Sequence, residues 1–180
     1  MDDQYIRFSI PLMEDKNARP IAMLPIAAFL SAEIQKTMDE AILQKLMLHK
    51  IPVLIDTGAV IPIWTGSKSV LESFGAQFYK AGVPVSGFGG GTVGDAYNLP
   101  NLTIDRLSYR DIKIVACAEL GVVPFFMIIS ATMFRGLAYE VDIMKFNLNI
   151  RMNPGDSYAR KLKVFNKADD TFTNLSLFND

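Results

Sequence analysis

Short stretches rich in apolar and β-branched residues recur along the chain, and this pattern predicts β-strands. Some of them alternate between apolar and polar residues, as strands with one buried face do, and others are continuously apolar, as strands buried on both faces are. The predicted strands cover residues 5–12, 51–55, 97–104, 112–118, 125–130 and 146–152. Many short strands with few helices are typical of a mainly β domain, built as a barrel or a sandwich.

The pattern predicts only one or two short helices. Residues 67–74 and residues 132–139 each suit a short helix. Residues 31–48 are ambiguous, because apolar residues recur at every fourth position and favour a helix, whereas residues 42–48 equally suit a strand that turns back into the next one. Two prolines within residues 19–30 favour an extended or edge segment over a helix.

Composition and charge exclude several classes of protein. Half of the 180 residues are hydrophobic and the formal net charge is −1, so no basic excess is present to attract nucleic acid. With one cysteine and one histidine, we expect no metal site built from these residues, and we expect no cofactor. The apolar runs are shorter than the roughly 20 residues of a membrane helix, and the acidic start lacks the basic segment of a secretion signal. We therefore expect a cytoplasmic protein that does not enter a membrane.

The clearest candidate for chemistry is Asp56. It follows the predicted buried strand 51–55 and precedes Thr57, Gly58 and Ala59, which suit a tight turn. A carboxylate at the end of a buried strand loses hydration, so it needs hydrogen-bond partners or a chemical function. The structural alternative is an Asx-turn, in which Asp56 accepts a hydrogen bond from a backbone N–H of the turn. These residues taken alone leave both interpretations open.

A glycine cluster follows at residues 87–94. Glycines allow positive φ angles and close approach of the backbone to a ligand, which suits a mobile hairpin, and a flexible loop is the simpler alternative. A phosphate-binding loop is not favoured, because no Gly-Lys-Ser/Thr sequence follows and no helix start is evident.

The sequence Asp-Thr-Gly-Ala after an apolar strand resembles the active-site signature of aspartic proteases. One copy is present, so the resemblance is to the retropepsin-like branch, whose members are homodimers. It implies a retropepsin-like acid-protease barrel over residues 1–152, within which residues 1–41 form an extension or a dimer-interface segment. Residues 153–180 are expected to form a C-terminal tail or an extra strand.

The resemblance also implies what individual residues do. Asp56 would be the catalytic residue of an aspartic endopeptidase and would activate a water together with Asp56 of a second subunit. Thr57, Gly58 and Ala59 would support the active-site loop. The glycine cluster would be a flap that closes over a protein or peptide substrate, through Gly87, Phe88, Gly89, Gly90 and Gly91. Apolar residues such as Val60, Ile61 and Phe88 would line the substrate pockets.

One position departs from the family. Residues 126–131 resemble the apolar strand and small residue that support the catalytic loop, but Ser130 stands where the family usually has Gly. This departure motivates an alternative from another class of protein, a catalytically silent, retropepsin-like module that binds peptides or serves in assembly. The protease requires a homodimer, since one aspartate cannot make a pair, whereas a monomer would favour the alternative.

Overall fold

A computed structural model describes residues 5–87, 90–117, 123–152 and 159–161. Within these ranges the regular structure is mostly strand, so the predicted mainly β fold is confirmed. The strands are β1 (Ile6–Glu14), β2 (Pro20–Pro25), β3 (Lys50–Asp56), β4 (Ile63–Trp64), β5 (Gln77–Gly87), β6 (Gly90–Ile104), β7 (Leu107–Ala116), β8 (Met127–Ser130), β9 (Ala138–Asp142), β10 (Asn147–Met152) and β11 (Ala159–Lys161). All six predicted strands are present, with shifted ends.

The helices are short and are set by local caps. They are α1 (Ala32–Thr37), α2 (Glu40–Leu48) and α3 (Lys68–Ser73), together with two 3₁₀ helices at Ile26–Phe29 and Ala131–Phe134. The Ser31 hydroxyl accepts a hydrogen bond from the first turn of α1, and the Asp39 carboxylate accepts two from the first turn of α2. These caps resolve the ambiguous segment into two helices, so the alternative strand there is wrong.

Two other helix predictions have different outcomes. The helix predicted over residues 67–74 is confirmed as α3. The helix predicted over residues 132–139 is wrong, because only a 3₁₀ turn forms and the chain then enters β9. Register pairs such as Tyr139 with Ile150 join β9 to β10, and this ladder overrides the local helical preference.

The strands form one mixed sheet in the order β5-β6-β7-β4-β8-β3-β2-β1-β10-β9, with β11 beside β7. The pairs β3–β8, β4–β7 and β7–β11 are parallel, and the other pairs are antiparallel. The prediction of a barrel is wrong in one respect, since the sheet is open and β5 and β9 are its ends. Two register shifts interrupt the pairing of β5 with β6, and irregularities of this kind protect an edge strand from further pairing.

The N-terminal segment lies inside the sheet. β2 pairs with β3 on one side and with β1 on the other, and β1 pairs with β10. The extended conformation predicted for residues 19–30 is therefore confirmed over β2, whereas the edge position is wrong. No helix among the described residues is long and apolar enough to cross a membrane.

Both faces of the central strands are buried, in two hydrophobic clusters. In β3, Val53 and Ile55 belong to the main cluster and Leu54 belongs to the second, as the alternation of side chains along a strand requires. Strands far apart in the order, such as β6 and β10, share the main cluster, so the sheet curls around it. The second cluster consists of Ile21, Leu54, Ile61, Ile63, Val83, Val85, Ala96, Val115, Cys117, Phe125 and Ile128.

Candidate active site

Asp56 is the last residue of β3, and its register partner in the parallel strand β8 is Ser130. Both residues therefore lie at the C-terminal ends of two neighbouring parallel strands, which end side by side. The Asp56 side chain is partly exposed. Because side chains alternate along a strand, Asp56 lies on the same face as Leu54, which is the face of the second cluster.

The turn after Asp56 holds the carboxylate in a defined direction. The backbone N–H of Gly58 donates a hydrogen bond of 2.9 Å to Asp56 Oδ1, and the N–H of Ala59 donates to the Asp56 carbonyl oxygen at 3.2 Å. A Cβ on Gly58 would lie 3.3 Å from Asp56 Oδ1, so glycine permits this close approach. Within the described ranges, no further hydrogen bond to the Asp56 carboxylate is found. This Asx-turn satisfies one oxygen and leaves the other available to a ligand or a water.

Two hydrogen bonds connect the rest of the loop to the segment after β8, and a third bond supports them from behind. Thr132 Oγ1 donates to the Val60 carbonyl oxygen at 2.9 Å, and the Ala131 N–H donates to the Ala59 carbonyl oxygen at 3.2 Å. The hydroxyls of Ser130 and Thr132 lie 2.7 Å apart. Because Thr132 has given its one proton to Val60, Ser130 must be the donor in that bond.

Ser130 therefore has a specific place in the loop support. Its side chain is fully buried, with 0% of its surface exposed, and its hydroxyl is satisfied by Thr132. A serine at this position adds a hydrogen bond behind the Asp56 loop that a glycine could not make. The sequence reasoning missed Thr132, although the polar Ser-Ala-Thr triplet at the end of an apolar run was visible as a signal.

The remaining residues of the loop are unequally exposed. Thr57 and Gly58 are exposed. Val60 is 48% exposed, whereas Ile61 is only 7% exposed and belongs to the second cluster. Of the pocket residues expected from the sequence, Val60 is thus accessible, Ile61 is core, and Phe88 lies outside the described residues.

The glycine cluster forms the end of a β-hairpin made by β5 and β6. Gly87 pairs with Gly90, and Ser86 pairs with Gly91, whereas Phe88 and Gly89 lie outside the described residues. Neither Gly91 nor Gly94 has a positive φ angle, so the conformational reason expected for glycine does not hold at these two positions.

Gly94 is required for packing instead. A Cβ there would lie 2.5 Å from Val115 Cγ1, 2.7 Å from the Ala116 carbonyl oxygen and 2.7 Å from Cys117 Sγ. No real Cβ contact is that short, so β6 and β7 approach each other here only because residue 94 has no side chain. Burial of Cys117 in this contact raises the pKa of its thiol to about 11.

The hairpin lies over the same face of the sheet as Asp56. Val83 and Val85 on β5 are buried in the second cluster together with Ile61, and the partly buried Ala59 packs against that cluster. The structure thus brings the base of the glycine-rich hairpin and the residues that follow Asp56 into one apolar contact region.

Arg19 is a neighbour of this region that the sequence reasoning missed. Its guanidinium donates to the Asp15 carboxylate at 2.8 Å and lies 5.0 Å from the centre of the Phe125 ring. The hydrogen bond from Arg19 holds the pKa of Asp15 at about 2. Phe125 belongs to the second cluster, so the contact between Arg19 and Phe125 connects the turn between β1 and β2 to that cluster.

Trp64 is a core residue. It is 0% exposed and makes edge-to-face contacts with Phe29 and Phe74. Its indole N–H donates to the Ser67 carbonyl oxygen at 2.9 Å, just before α3 begins. His49 ends α2 at the surface, and its ring nitrogen Nδ1 contacts the Lys45 carbonyl oxygen.

In the described part of the chain, no group of His, Cys, Asp and Glu side chains is arranged to hold a metal ion. No protein-family model matches the sequence, and no curated protein matches it. Among solved structures, a retropepsin-like aspartic protease from Rickettsia conorii is similar, with a TM-score of 0.47 and 12% identity, over 82% of this chain and 92% of that one. A likeness of this size concerns the fold alone and says nothing about Asp56 or a second subunit.

Proposed function

We propose that this chain is a retropepsin-like aspartic endopeptidase that works as a homodimer, with one Asp56 from each subunit. The observation that carries the proposal is the Asp56 turn. One carboxylate oxygen accepts the Gly58 N–H at 2.9 Å, the loop is hydrogen-bonded to the segment after β8, and the following residues are exposed. An oriented carboxylate on a fixed, accessible loop is what acid–base chemistry on a bound water requires.

Two such carboxylates would divide the chemistry between them. At a separation of about 3 Å they cannot both ionise, so the pair holds one proton. The ionised Asp56 removes a proton from water, which attacks the scissile carbonyl carbon. The protonated Asp56 donates to the carbonyl oxygen as charge develops there, and a proton then passes to the leaving nitrogen.

The second carboxylate would come from a twofold partner, because the chain carries one Asp-Thr-Gly sequence. A twofold axis beside the exposed Thr57 would bring two identical turns together, with each turn contacting the other. Neither subunit would have a fixed role until an asymmetric peptide binds.

The substrate would be an extended peptide between the hairpin and the Asp56 turn. The hairpin backbone would add hydrogen bonds in the manner of β-strand addition. Val60, which is 48% exposed, is the accessible apolar side chain nearest in sequence to the carboxylate, so we expect a preference for hydrophobic side chains beside the cleaved bond.

The test compares Asp56→Asn with Asp105→Asn. Asp56→Asn removes the charge and should lower cleavage of a peptide library by ~10³-fold or more, while circular dichroism and molar mass stay unchanged. Asp105 is an exposed turn residue at φ 53°, a conformation that asparagine also adopts easily, so its variant should cleave at the normal rate. Cleavage by the Asp56→Asn protein at the normal rate would overturn the proposal.

Mixing of subunits tests the dimer separately. If both carboxylates are needed, an equal mixture of normal and Asp56→Asn chains, allowed to exchange, should retain about one quarter of the activity of the same amount of normal dimer. About one half would mean that each chain works alone. A monomer by light scattering, with peptide binding but no turnover, would instead identify a silent peptide-binding module.

A further inference from the structure

The hairpin leaves the sheet at Asp95. From Asp95 onward β6 pairs with β7, beginning with the pair Asp95–Ala116, and residues 96–98 pair with β5 as well. Before Asp95, in the part of the chain that the structure describes, β6 pairs with β5 alone, from Val83–Gly94 to Gly87–Gly90. Residues 83–87 and 90–94 thus form a two-stranded extension, and Asp95 is the first residue behind it.

The Asp95 carboxylate connects three elements at this junction. Its Oδ2 lies 2.5 Å from Lys68 Nζ at the start of α3, and its Oδ1 accepts the backbone N–H of Gly82 in β5 at 3.3 Å. The side chains of Lys68 and Asp95 are 41% and 26% exposed. One carboxylate therefore joins the helix to both strands of the hairpin at its base.

The opposite strand has a bend at the same level. Gly82 has a φ angle of +69°, and the pairing of β5 with β6 shifts register between Phe78 and Lys80 and again between Lys80 and Val83. A Cβ on Gly82 would meet nothing within 4 Å, so glycine is favoured here by the backbone conformation and not by space. A bulged strand with a glycine at its bend is a place where a hairpin can pivot.

The helix that carries Lys68 is itself well anchored. Leu71 on α3 is 0% exposed, and the Glu72 carboxylate accepts a hydrogen bond from the Tyr97 hydroxyl at 3.0 Å. Tyr97 lies in the part of β6 that pairs with β7. Lys68 therefore projects from a fixed element toward the pivot.

We propose that Lys68 and Asp95 are positioning residues that anchor the base of the hairpin and so set the affinity for substrate. The ion pair limits how far residues 83–87 and 90–94 swing away from the second cluster, to which Val83 and Val85 belong. The link to substrate affinity rests on the proposed function, whereas the anchoring of the hairpin does not.

Lys68→Met tests the anchor, because it removes the cation and all its N–H donors but keeps an unbranched side chain of similar length. We expect at least a 10-fold faster amide exchange in residues 83–87 and 90–94, with unchanged exchange in β7. We also expect a KM about 5- to 10-fold higher for a fluorogenic peptide taken from the library, with kcat within twofold. Asp95→Asn should give the same changes at smaller amplitude, because an amide still accepts the Gly82 N–H.

Two variants serve as controls. Lys68→Arg keeps the charge and the donors and should restore both hairpin protection and KM. Lys45→Gln removes an exposed charge on α2 and should leave both unchanged. A Lys68→Met protein with normal hairpin exchange would overturn the anchor, whatever its KM. If no peptide is cleaved even by the normal chain, the proposed function fails, and the exchange measurement still decides whether the pair anchors the hairpin.

Discussion

The Asp56 turn and the β5–β6 hairpin lie on the same face of the sheet but are held in different ways. The turn is bound at almost every residue from 56 to 60, by the Gly58 and Ala59 amides, the Ala131 amide and the Thr132 hydroxyl. The projecting part of the hairpin has no ladder beyond its own two strands within the described ranges, and the Asp95 carboxylate connects its base to α3.

This difference separates two tasks within one candidate site. Chemistry on a water requires a carboxylate whose position does not change, and many short hydrogen bonds provide that. Substrate entry requires a part that moves, and such parts are drawn from the less stable end of a structure. We therefore expect substitutions that weaken the loop network around Asp56 to change stability and rate together, and those that break the Lys68–Asp95 ion pair to change the mobility of the hairpin.

The largest effect on stability should come from Gly94→Ala, which adds a methyl group where the hairpin joins the sheet. The new methyl group would overlap Val115 and the Ala116 backbone, and overpacking against backbone costs about 3 kcal/mol. Chemical denaturation should show that loss or a failure to fold.

Gly91→Ala is the matched control for this prediction. A Cβ at Gly91 would meet only the Val85 carbonyl oxygen, at 4.0 Å, and the residue is exposed. The free energy of unfolding of Gly91→Ala should lie within about 0.5 kcal/mol of that of the normal chain. Equal stability for the alanine variants of Gly91 and Gly94 would show that β6 and β7 are not as close as described.

A middle-sized effect should come from Thr132→Val, which keeps the shape of the side chain but removes its hydroxyl. The Val60 carbonyl oxygen then loses its donor and the buried Ser130 hydroxyl loses its acceptor, at a cost of about 1–2 kcal/mol. Peptidase activity should fall as well, because the loop loses support. Thr103→Val removes a half-buried hydroxyl that pairs with Ser108 and should cost less, so a reversed order would count against the loop network.

The smallest effect should be a pH dependence at the base of the hairpin. The hydrogen bond from Lys68, together with the Gly82 N–H, holds the pKa of Asp95 below its ordinary value of 3.8 against the opposing effect of burial. The charged carboxylate therefore stabilises the anchor at neutral and mildly acidic pH, and this contribution is lost as the pH falls below 3.8 and through the lowered pKa.

The Gly82 amide resonance reports this titration directly, since its N–H donates to Asp95. We expect its midpoint below pH 3.8 and its absence in Asp95→Asn. Among the described residues, Lys68 of α3 acts on Asp95, and Asp95 in turn acts on Tyr97 of β6 and Cys117 after β7. A midpoint above 3.8 would mean that Lys68 does not hold the carboxylate.

Local patterns in the sequence predict those parts of the fold that neighbouring residues decide. The strand before Asp56 and the alternating strand β10 follow from residue types alone, and so does the turn in which Gly58 approaches the carboxylate. The helix predicted over residues 132–139 does not form, because Ala138–Asp142 pair with β10 as the strand β9. Nothing in the local sequence indicates this pairing. The open sheet is equally non-local, since it depends on whether β5 and β9, which are far apart in the sequence, pair with each other.

In the candidate site, too, contacts between residues close in the sequence could be predicted and contacts between distant residues could not. Asp56 and Gly58 are two residues apart and their contact is visible in the sequence. Lys68 and Asp95 are 27 residues apart, and nothing in either segment indicates that α3 and the hairpin base meet. Only the structure explains why Ser130 stands in place of a glycine. Its hydroxyl bonds to the Thr132 hydroxyl, which in turn donates to the Val60 carbonyl oxygen.

The buried indole of Trp64 gives the protein a built-in optical probe. It is the sole tryptophan of the chain, and it bonds to Ser67, the residue directly before Lys68. Its emission therefore comes from one known place, hydrogen-bonded to the residue next to the cation that anchors the hairpin. Displacement of α3 would change the polarity around this single fluorophore, so unlabelled protein can report on that helix in real time while peptide is added.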